Sequence, residues 1–141
     1  MKKVINYSLD SIDGIAEQLD ALRSTCSVFT FTGTLGAGKT TLIKKLLSRA
    51  GVQEVVTSPT FTTLVQYTNE RGEIFNHFDL YRLSSLQEFM ESGFQEYLYE
   101  PGSWTYIEWP LLVLPLLTHS VCHCSLEHVF ETERSITLET K

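Results

Sequence analysis

The stretch GTLGAGKT, residues 33–40, decides how the rest of the chain is interpreted. Its spacing fits the pattern G-x-x-x-x-G-K-[ST], in which glycines let successive backbone N–H groups turn inward and bind phosphate. The N-terminus of a following helix adds its positive dipole end to the same anion site. In this pattern Lys39 reaches the β and γ phosphates of a nucleotide, and the Thr40 hydroxyl binds Mg²⁺. The sequence therefore predicts a phosphate-binding loop.

The residues on both sides of this loop support that prediction. Before it, SVFTFTG (residues 27–33) is a run of β-branched and aromatic residues that indicates a strand. After it, apolar residues from Leu42 to Leu47 recur at helical spacing, and Gly51 is placed to end the helix. A strand, a glycine loop and a helix in this order are the context that the pattern requires.

The other segments extend an α/β pattern. Residues 10–23 predict a helix with Asp10 available as its N-cap. Residues 84–98 predict a second one, with Ser85 and Glu88 at capping-box spacing and Gly93 able to break it. Further strands are predicted at 55–61 (entering a loop at Ser58-Pro59), 61–68, 73–78, 104–109, 120–130 and 134–139.

The expected fold is an α/β P-loop NTPase fold, with a central, mainly parallel sheet flanked by helices. A hairpin around residues 69–72 and the terminal strands add antiparallel pairing. A length of 141 residues, 43% hydrophobic and 20% charged, indicates a single domain spanning 1–141. The apolar stretch PLLVLPLL (110–117) carries two prolines and is interpreted as a loop or a short buried segment.

Composition also bears on location and partners. No apolar run approaches the roughly 18 residues of a membrane span, and the N-terminal lysines precede no apolar signal region, so a cytoplasmic location with no membrane contact is expected. The net charge of −6 leaves no basic stripe, so nucleic acid is expected to be handled only through a partner.

The three cysteines, Cys26, Cys122 and Cys124, are expected to be free thiols in a reducing compartment. The stretch HSVCHCSLEH (119–128) raises the alternative of a zinc site. Its alternation of side chains favours a strand instead, because no ligand pair has the C-x₂-C spacing typical of zinc sites.

A phosphate loop needs a second carboxylate for its magnesium ion, usually at the end of a core strand. Asp79 follows the segment EIFNHF, and Glu108 follows WTYI. Acids at the carboxyl ends of strands point toward the crevice where open α/β sheets bind ligands. At least one of the two is therefore expected to be functional.

Several nucleotide-dependent classes fit the sequence poorly. No Asn-Lys pair is present, so the guanine-reading N-K-x-D motif is missing and GTP specificity is unsupported. The chain is too short for a transporter ATPase. Its five arginines are scattered, whereas small-molecule kinases usually carry several in a lid.

Four stretches in one order, GTLGAGKTTL, SPTF, HFDLYR and YIEWP, together resemble the TsaE (YjeE) family of small bacterial P-loop ATPases. The resemblance covers about residues 8–110 well and the last thirty weakly, where RSITL is similar to the family's closing strand. It implies Mg²⁺-dependent binding and slow hydrolysis of ATP, in the service of threonylcarbamoyladenosine synthesis on tRNA. It also implies a TsaB–TsaD-type heterodimer as partner, with tRNA met only through that complex.

The same resemblance assigns roles residue by residue. Lys39, Asp79 and Glu108 are the candidate catalytic residues, and Thr40 and Glu108 the candidate metal ligands. Which of the two acids lies closer to the metal stays open; we assign Glu108 to the water shell of the metal, and Asp79 to the attacking water or the γ-phosphate. The candidate nucleotide-binding residues are Gly33, Thr34, Leu35, Gly36, Ala37, Gly38, Lys39, Thr40, Thr41, Ser58, Thr60 and Arg134. Thr34 and Leu111 stand where relatives usually carry acidic or polar residues.

Two other functions remain open at this point. One is a nucleotide-dependent binding switch whose turnover is incidental, favoured by the SPTF loop beside the predicted site. The other is a P-loop small-molecule kinase, in which the phosphate would pass to an acceptor rather than to water.

Overall fold

A computed structural model describes residues 1–34 and 36–141 of the chain. The described residues form seven strands: β1 Lys2–Ser8, β2 Val28–Thr32, β3 Leu64–Thr68, β4 Ile74–Asp79, β5 Ser103–Glu108, β6 Val121–Phe130 and β7 Glu133–Thr140. The α-helices are α1 Ile12–Ala21, α2 Lys39–Arg49 and α3 Leu86–Glu91. Short 3₁₀ turns lie at Leu9–Ser11, Leu22–Ser24, Phe94–Tyr97 and Pro110–Leu116.

The strands form one mixed sheet in the order β1-β7-β6-β2-β5-β4-β3. Strands β6, β2, β5 and β4 run parallel at its centre, and the pairs β1–β7, β6–β7 and β3–β4 are antiparallel. The expectation of a mainly parallel sheet is wrong, because half of the six pairings are antiparallel. The predicted hairpin and the antiparallel terminal strands are present.

Strand β1 is the element that sequence analysis did not predict. Its first residues, Lys2 and Lys3, are exposed, and the strand lies at the edge of the sheet. Charged residues are common on edge strands, where they discourage pairing with other chains. The segment therefore lacks the apolar alternation of a buried strand, and its pairing with β7 completes the antiparallel side.

The two faces of the sheet carry different helices. On β2, Phe29 and Phe31 belong to the core beneath α1 and α2, whereas Val28 belongs to a second core with α3. Successive strand residues point to opposite faces, which explains the division. Helix α2 ends as expected, with Gly51 in the left-handed region at a φ of 89°.

Helix α1 begins later than predicted. Its N-cap is Ser11, and Asp10 lies in the preceding 3₁₀ turn. The Ser11 hydroxyl both donates to the Ser8 carbonyl and accepts from the Ser8 N–H, at 3.0 Å each. These two bonds hold the 3₁₀ turn together, and the first α-helical residue is therefore Ile12.

The segment 55–61 is not a strand. Its backbone bonds to a side chain instead, since Thr57 N–H donates to the Tyr67 hydroxyl at 3.0 Å. Tyr67 is buried on β3, so this contact holds the segment against the hairpin. Sequence alone predicts a strand here because the β-branched residues match the composition of one.

Helix α3 is shorter than the predicted 84–98. The Ser85 side chain accepts from Glu88 N–H at 3.1 Å, which confirms the cap. Gly93 then breaks the helix at a φ of 79°, and a 3₁₀ turn follows.

The apolar stretch 110–117 forms the 3₁₀ helix Pro110–Leu116. Val113 and Leu117 are buried in the second core, while Leu111 is 78% exposed. The stretch is therefore partly buried against the second core. This agrees with the interpretation of it as a short buried segment rather than a loop. None of the helices in the described part of the chain has the length and hydropathy of a membrane span.

The strand interpretation of residues 120–130 is confirmed. Cys122, Cys124 and Leu126 on β6 are buried, while Ser125 between them is exposed. Cys26 is buried as well, and the three thiols are free within the described part of the chain.

Candidate functional site

The candidate site lies at the carboxyl edge of the central parallel strands. Strands β4 and β5 end at Asp79 and Glu108, which face each other in register. Strand β2 leads into the glycine loop at the same edge. A cavity of about 270 Å³ is lined there by Gly36, Gly38, Lys39, Thr40, Thr41, Ser58, Thr60, Asp79, Glu108 and Trp109.

The glycine loop has the backbone geometry that an anion site requires. Gly36 and Gly38 have φ angles of 82° and 98°, and Gly38 is the N-cap of α2. Residues other than glycine rarely adopt these backbone angles. The loop therefore leads directly into a helix N-terminus, where unpaired N–H groups and the helix dipole favour negative charge.

Gly33 is required for a different reason, the close approach of β6. A Cβ atom at this position would lie 2.6 Å from the carbonyl oxygen of Leu126. That oxygen belongs to the sheet backbone and has little freedom to move. Gly33 and Thr34 also line a second cavity, against residues 125–128 of β6.

Lys39 is 5% exposed, and its ammonium group lies inside the loop. It donates to the carbonyl oxygens of Gly33 and Thr34 at 2.7 and 3.0 Å, and it lies 4.1 Å from the centre of the Trp109 ring. Burial lowers the pKa of Lys39 below its usual value, while the nearby charges of Glu108 and Asp79 act to raise it. The loop thus holds a desolvated positive charge beside two acids.

Trp109 owes its position to an unusual backbone conformation. It follows Glu108 with a φ of 57°, in the left-handed region that costs a non-glycine residue about 1–2 kcal/mol. Its ring packs against Tyr81 at 5.0 Å as well as against Lys39. The strained residue therefore joins the end of β5 to the glycine loop.

Glu108 is 2% exposed, and both of its carboxylate oxygens are engaged. The Thr40 hydroxyl donates to Oε1 at 2.8 Å, and His77 Nε2 lies 2.7 Å from Oε2. The first contact joins the two residues that sequence analysis assigned to a metal ion. The second brings in His77, which had no assigned role.

Asp79 is 7% exposed and connects the site to the SPTF loop. Its Oδ2 accepts from the Thr60 hydroxyl at 3.4 Å, and Ser58 and Thr60 contact each other at 2.7 Å. Its backbone N–H donates to the Thr63 carbonyl at 2.9 Å, just after the loop. A shift of the SPTF loop would therefore change the hydrogen bonds of Asp79.

Nine of the predicted site residues line this cavity: Gly36, Gly38, Lys39, Thr40, Thr41, Ser58, Thr60, Asp79 and Glu108. Gly33 and Thr34 line the second cavity instead, and their carbonyl oxygens accept from Lys39. Arg134 lies on β7, where its guanidinium donates to the carbonyls of Glu131 and Glu133, and it does not line the cavity. Leu35 lies outside the described residues. Ala37 is buried beneath the loop and donates its N–H to the Thr34 carbonyl at 3.1 Å.

Comparison with known proteins identifies the family. The model of the family described as "Threonylcarbamoyl adenosine biosynthesis protein TsaE" matches residues 7–136. The chain belongs to the TsaE family. The resemblance stated from the sequence is thereby confirmed.

Individual relatives agree with this assignment. The "tRNA threonylcarbamoyladenosine biosynthesis protein TsaE" of Treponema pallidum is 40% identical over 112 residues, covering 79% of this chain and 81% of its own. The TsaE of Bacillus subtilis is 32% identical over 123 residues, covering 87% and 75%. The crystal structure of Bacillus subtilis YdiB superposes with a TM-score of 0.71 at 27% identity, over 98% of this chain and 86% of that one.

Proposed function

We propose that this TsaE protein is a single-domain, Mg²⁺-dependent P-loop ATPase that serves tRNA threonylcarbamoyladenosine synthesis. The observation that carries the proposal is the convergence of Lys39, Thr40, Asp79 and Glu108 on one cavity beside a glycine loop. A phosphate-binding cation, a metal-binding hydroxyl and two carboxylates are the kinds of group that P-loop enzymes use for phosphoryl transfer.

The loop and α2 would bind the phosphate groups. Their N–H groups supply neutral donors, and the Lys39 ammonium supplies a full charge already desolvated by the site. At present that ammonium bonds to the loop carbonyls of Gly33 and Thr34. Phosphate oxygens would replace those carbonyls as its acceptors when a nucleotide binds.

The donor set fits magnesium. Thr40 offers a hydroxyl and Glu108 a carboxylate, with Asp79 at the end of the neighbouring strand, and oxygen ligands of this kind are those Mg²⁺ prefers. When bound, the ion would neutralise negative charge that develops on the phosphate oxygens. The Thr40–Glu108 contact keeps the two ligands at hydrogen-bond distance beforehand.

Asp79 is proposed to position the attacking water or to respond to the γ-phosphate. Its contact with Thr60 is long, at 3.4 Å, so its Oδ2 is weakly engaged. The backbone N–H of Tyr81 fixes the other oxygen at 3.0 Å. One oxygen is thus anchored by the backbone, while the other contacts Thr60 of the SPTF loop.

A nucleotide-dependent switch is the second candidate, and it is supported by the SPTF loop. Phe61 at the end of this loop is 83% exposed, and the Arg82 guanidinium lies 4.6 Å from the centre of its ring. Because the same loop contacts Asp79, bound nucleotide could alter the exposed surface. We propose a TsaB–TsaD-type heterodimer as the partner that reads it, with tRNA met only within that complex.

Nucleotide titration calorimetry of wild type and Lys39→Ala tests the binding part of the proposal. The variant should bind ATP at least about tenfold more weakly, because a charge-assisted contact worth about 1.5–3 kcal/mol is lost. Lys44→Ala, on the exposed face of α2, is the matched control and should bind ATP as wild type does. Equal affinity of Lys39→Ala and Lys44→Ala would refute the phosphate-site assignment.

The partnership has its own test. Phosphate release from ATP should change when a TsaB–TsaD-type heterodimer is added to this protein. An unchanged rate, together with no detectable complex, would count against the partner while leaving the ATPase proposal intact.

A further inference from the structure

His77 is a buried polar residue without a role in the chemistry described so far. Its side chain is fully buried on β4, and its Nε2 lies 2.7 Å from Glu108 Oε2. Its Nδ1 has no hydrogen-bond partner among the described residues. A buried polar atom without a partner costs free energy that an apolar residue of similar size would avoid. The side-chain hydrogen bond between His77 and Glu108 therefore requires an explanation other than packing.

That bond controls the orientation of Glu108. Thr40 holds Oε1 from α2, and His77 holds Oε2 from β4, so the carboxylate is restrained from two elements. With His77 removed, Glu108 would keep only the Thr40 contact and could rotate about its side-chain torsions. Side chains that orient a metal-binding carboxylate raise metal affinity because the ligand is fixed before the ion arrives.

Tyr106 offers an internal comparison on the neighbouring strand, where it pairs with His77. Its hydroxyl is also buried without a partner among the described residues, but its ring packs with Phe29, Phe31 and Phe75. Tyr106 thus belongs to an aromatic core, where packing accounts for it. The short contact of His77 with a site carboxylate has no such explanation.

We propose that His77 is a positioning residue that holds the Glu108 carboxylate, by donation from Nε2, in the orientation needed to bind the metal ion with Thr40. The inference rests on the proposed function, since it assumes that Glu108 serves the metal. It adds a residue outside the glycine loop and the two acids to the determinants of metal affinity.

The comparison of His77→Gln with His77→Asn tests this role. A glutamine amide reaches about as far as Nε2 and can donate to Glu108, whereas an asparagine amide reaches only about as far as Nδ1. The probe is Mn²⁺ in place of Mg²⁺, titrated against protein and ADP and followed by electron paramagnetic resonance of the free ion. We expect Asn to weaken Mn²⁺ binding by about 10- to 100-fold and Gln to restore most of it.

Calorimetric titration of ADP in EDTA provides the control, because metal-free nucleotide binding should be the same for both variants. If circular dichroism shows that His77→Asn is unfolded, His77→Met replaces it as a variant that fills the space without donating. Equal Mn²⁺ affinity of the donating and non-donating variants would overturn the inference alone. Failure of wild type to bind Mn²⁺ with ADP would instead refute the proposed function, and the inference with it.

Discussion

At the scale of single residues, the site depends on contacts between groups far apart in the sequence. Glu108 contacts Thr40 and His77, which lie 68 and 31 residues before it. Lys39 depends on Glu108 and Asp79 to oppose the effect of burial on its pKa. The candidate chemistry is therefore a property of the folded sheet edge rather than of the glycine loop alone.

Gly33→Ala gives a prediction at this scale. The added Cβ would meet the Leu126 carbonyl at 2.6 Å, at a φ of 147° that non-glycine residues rarely adopt. We expect a loss of about 1–3 kcal/mol in the free energy of unfolding, as for other overpacked sites. Urea denaturation monitored by circular dichroism measures it.

Gly14→Ala is the matched control for that substitution. Gly14 lies within α1, and nothing is within 4 Å of an added Cβ. Alanine there should stabilise the protein by about 0.5–1 kcal/mol through its greater helix propensity. The close-approach argument would be wrong if Gly33→Ala were as stable as Gly14→Ala.

Sequence analysis identified Asp79 and Glu108 because strand-end acids follow recognisable apolar segments. It could not identify the role of His77, because a histidine within a strand is equally consistent with a packing residue. The motif HFDLYR did contain the signal, since residues two apart on a strand point to the same face. The sequence does not show that β5 pairs with β4, and this pairing brings Glu108 into contact with His77.

At the scale of elements, the strongly periodic segments were predictable and the irregular ones were not. Helix α2 and the Ser85 cap follow from apolar spacing and capping rules that act within one turn of helix. Segment 55–61 and strand β1 depend on partners elsewhere, Tyr67 and β7 respectively. Local composition therefore predicted a strand at 55–61, where none forms, and none at β1, where one does.

The 3₁₀ helix at 110–116 allows a test of its packing role. Val113 is fully buried in the second core, so Val113→Ala removes apolar contacts and leaves a cavity. We expect a loss of about 2 kcal/mol in the free energy of unfolding. Leu111→Ala, at a 78% exposed position, should change it by less than about 0.5 kcal/mol.

The comparison of these two variants by urea denaturation is decisive for the segment. Equal stability of Val113→Ala and Leu111→Ala would mean that 110–116 contributes little to the core. A large loss on Leu111→Ala would mean that its exposed face is in fact packed.

At the scale of the whole molecule, the parallel centre of the mixed sheet positions the candidate site. The parallel centre brings the ends of β2, β4 and β5 to one edge, which is where the cavity lies. Beyond β6, strands β7 and β1 extend the sheet by antiparallel pairing, on the far side of β2 from β5 and β4. The α/β class could be predicted because helices and strands alternate along the first half of the chain. The balance of parallel and antiparallel pairing could not, because the pairing partner of β1 comes from the other end of the chain.

The cavity is proposed to hydrolyse ATP with the help of Mg²⁺ and Glu108. The most direct measurement is phosphate release from ATP by wild type and Glu108→Gln, each in Mg²⁺ and in EDTA, with and without phosphate acceptors. We predict slow release to water by wild type in Mg²⁺, none in EDTA, and a rate at least about tenfold lower for Glu108→Gln. Equal rates for the two proteins in Mg²⁺, or phosphate found on an added acceptor instead of in water, would contradict the account.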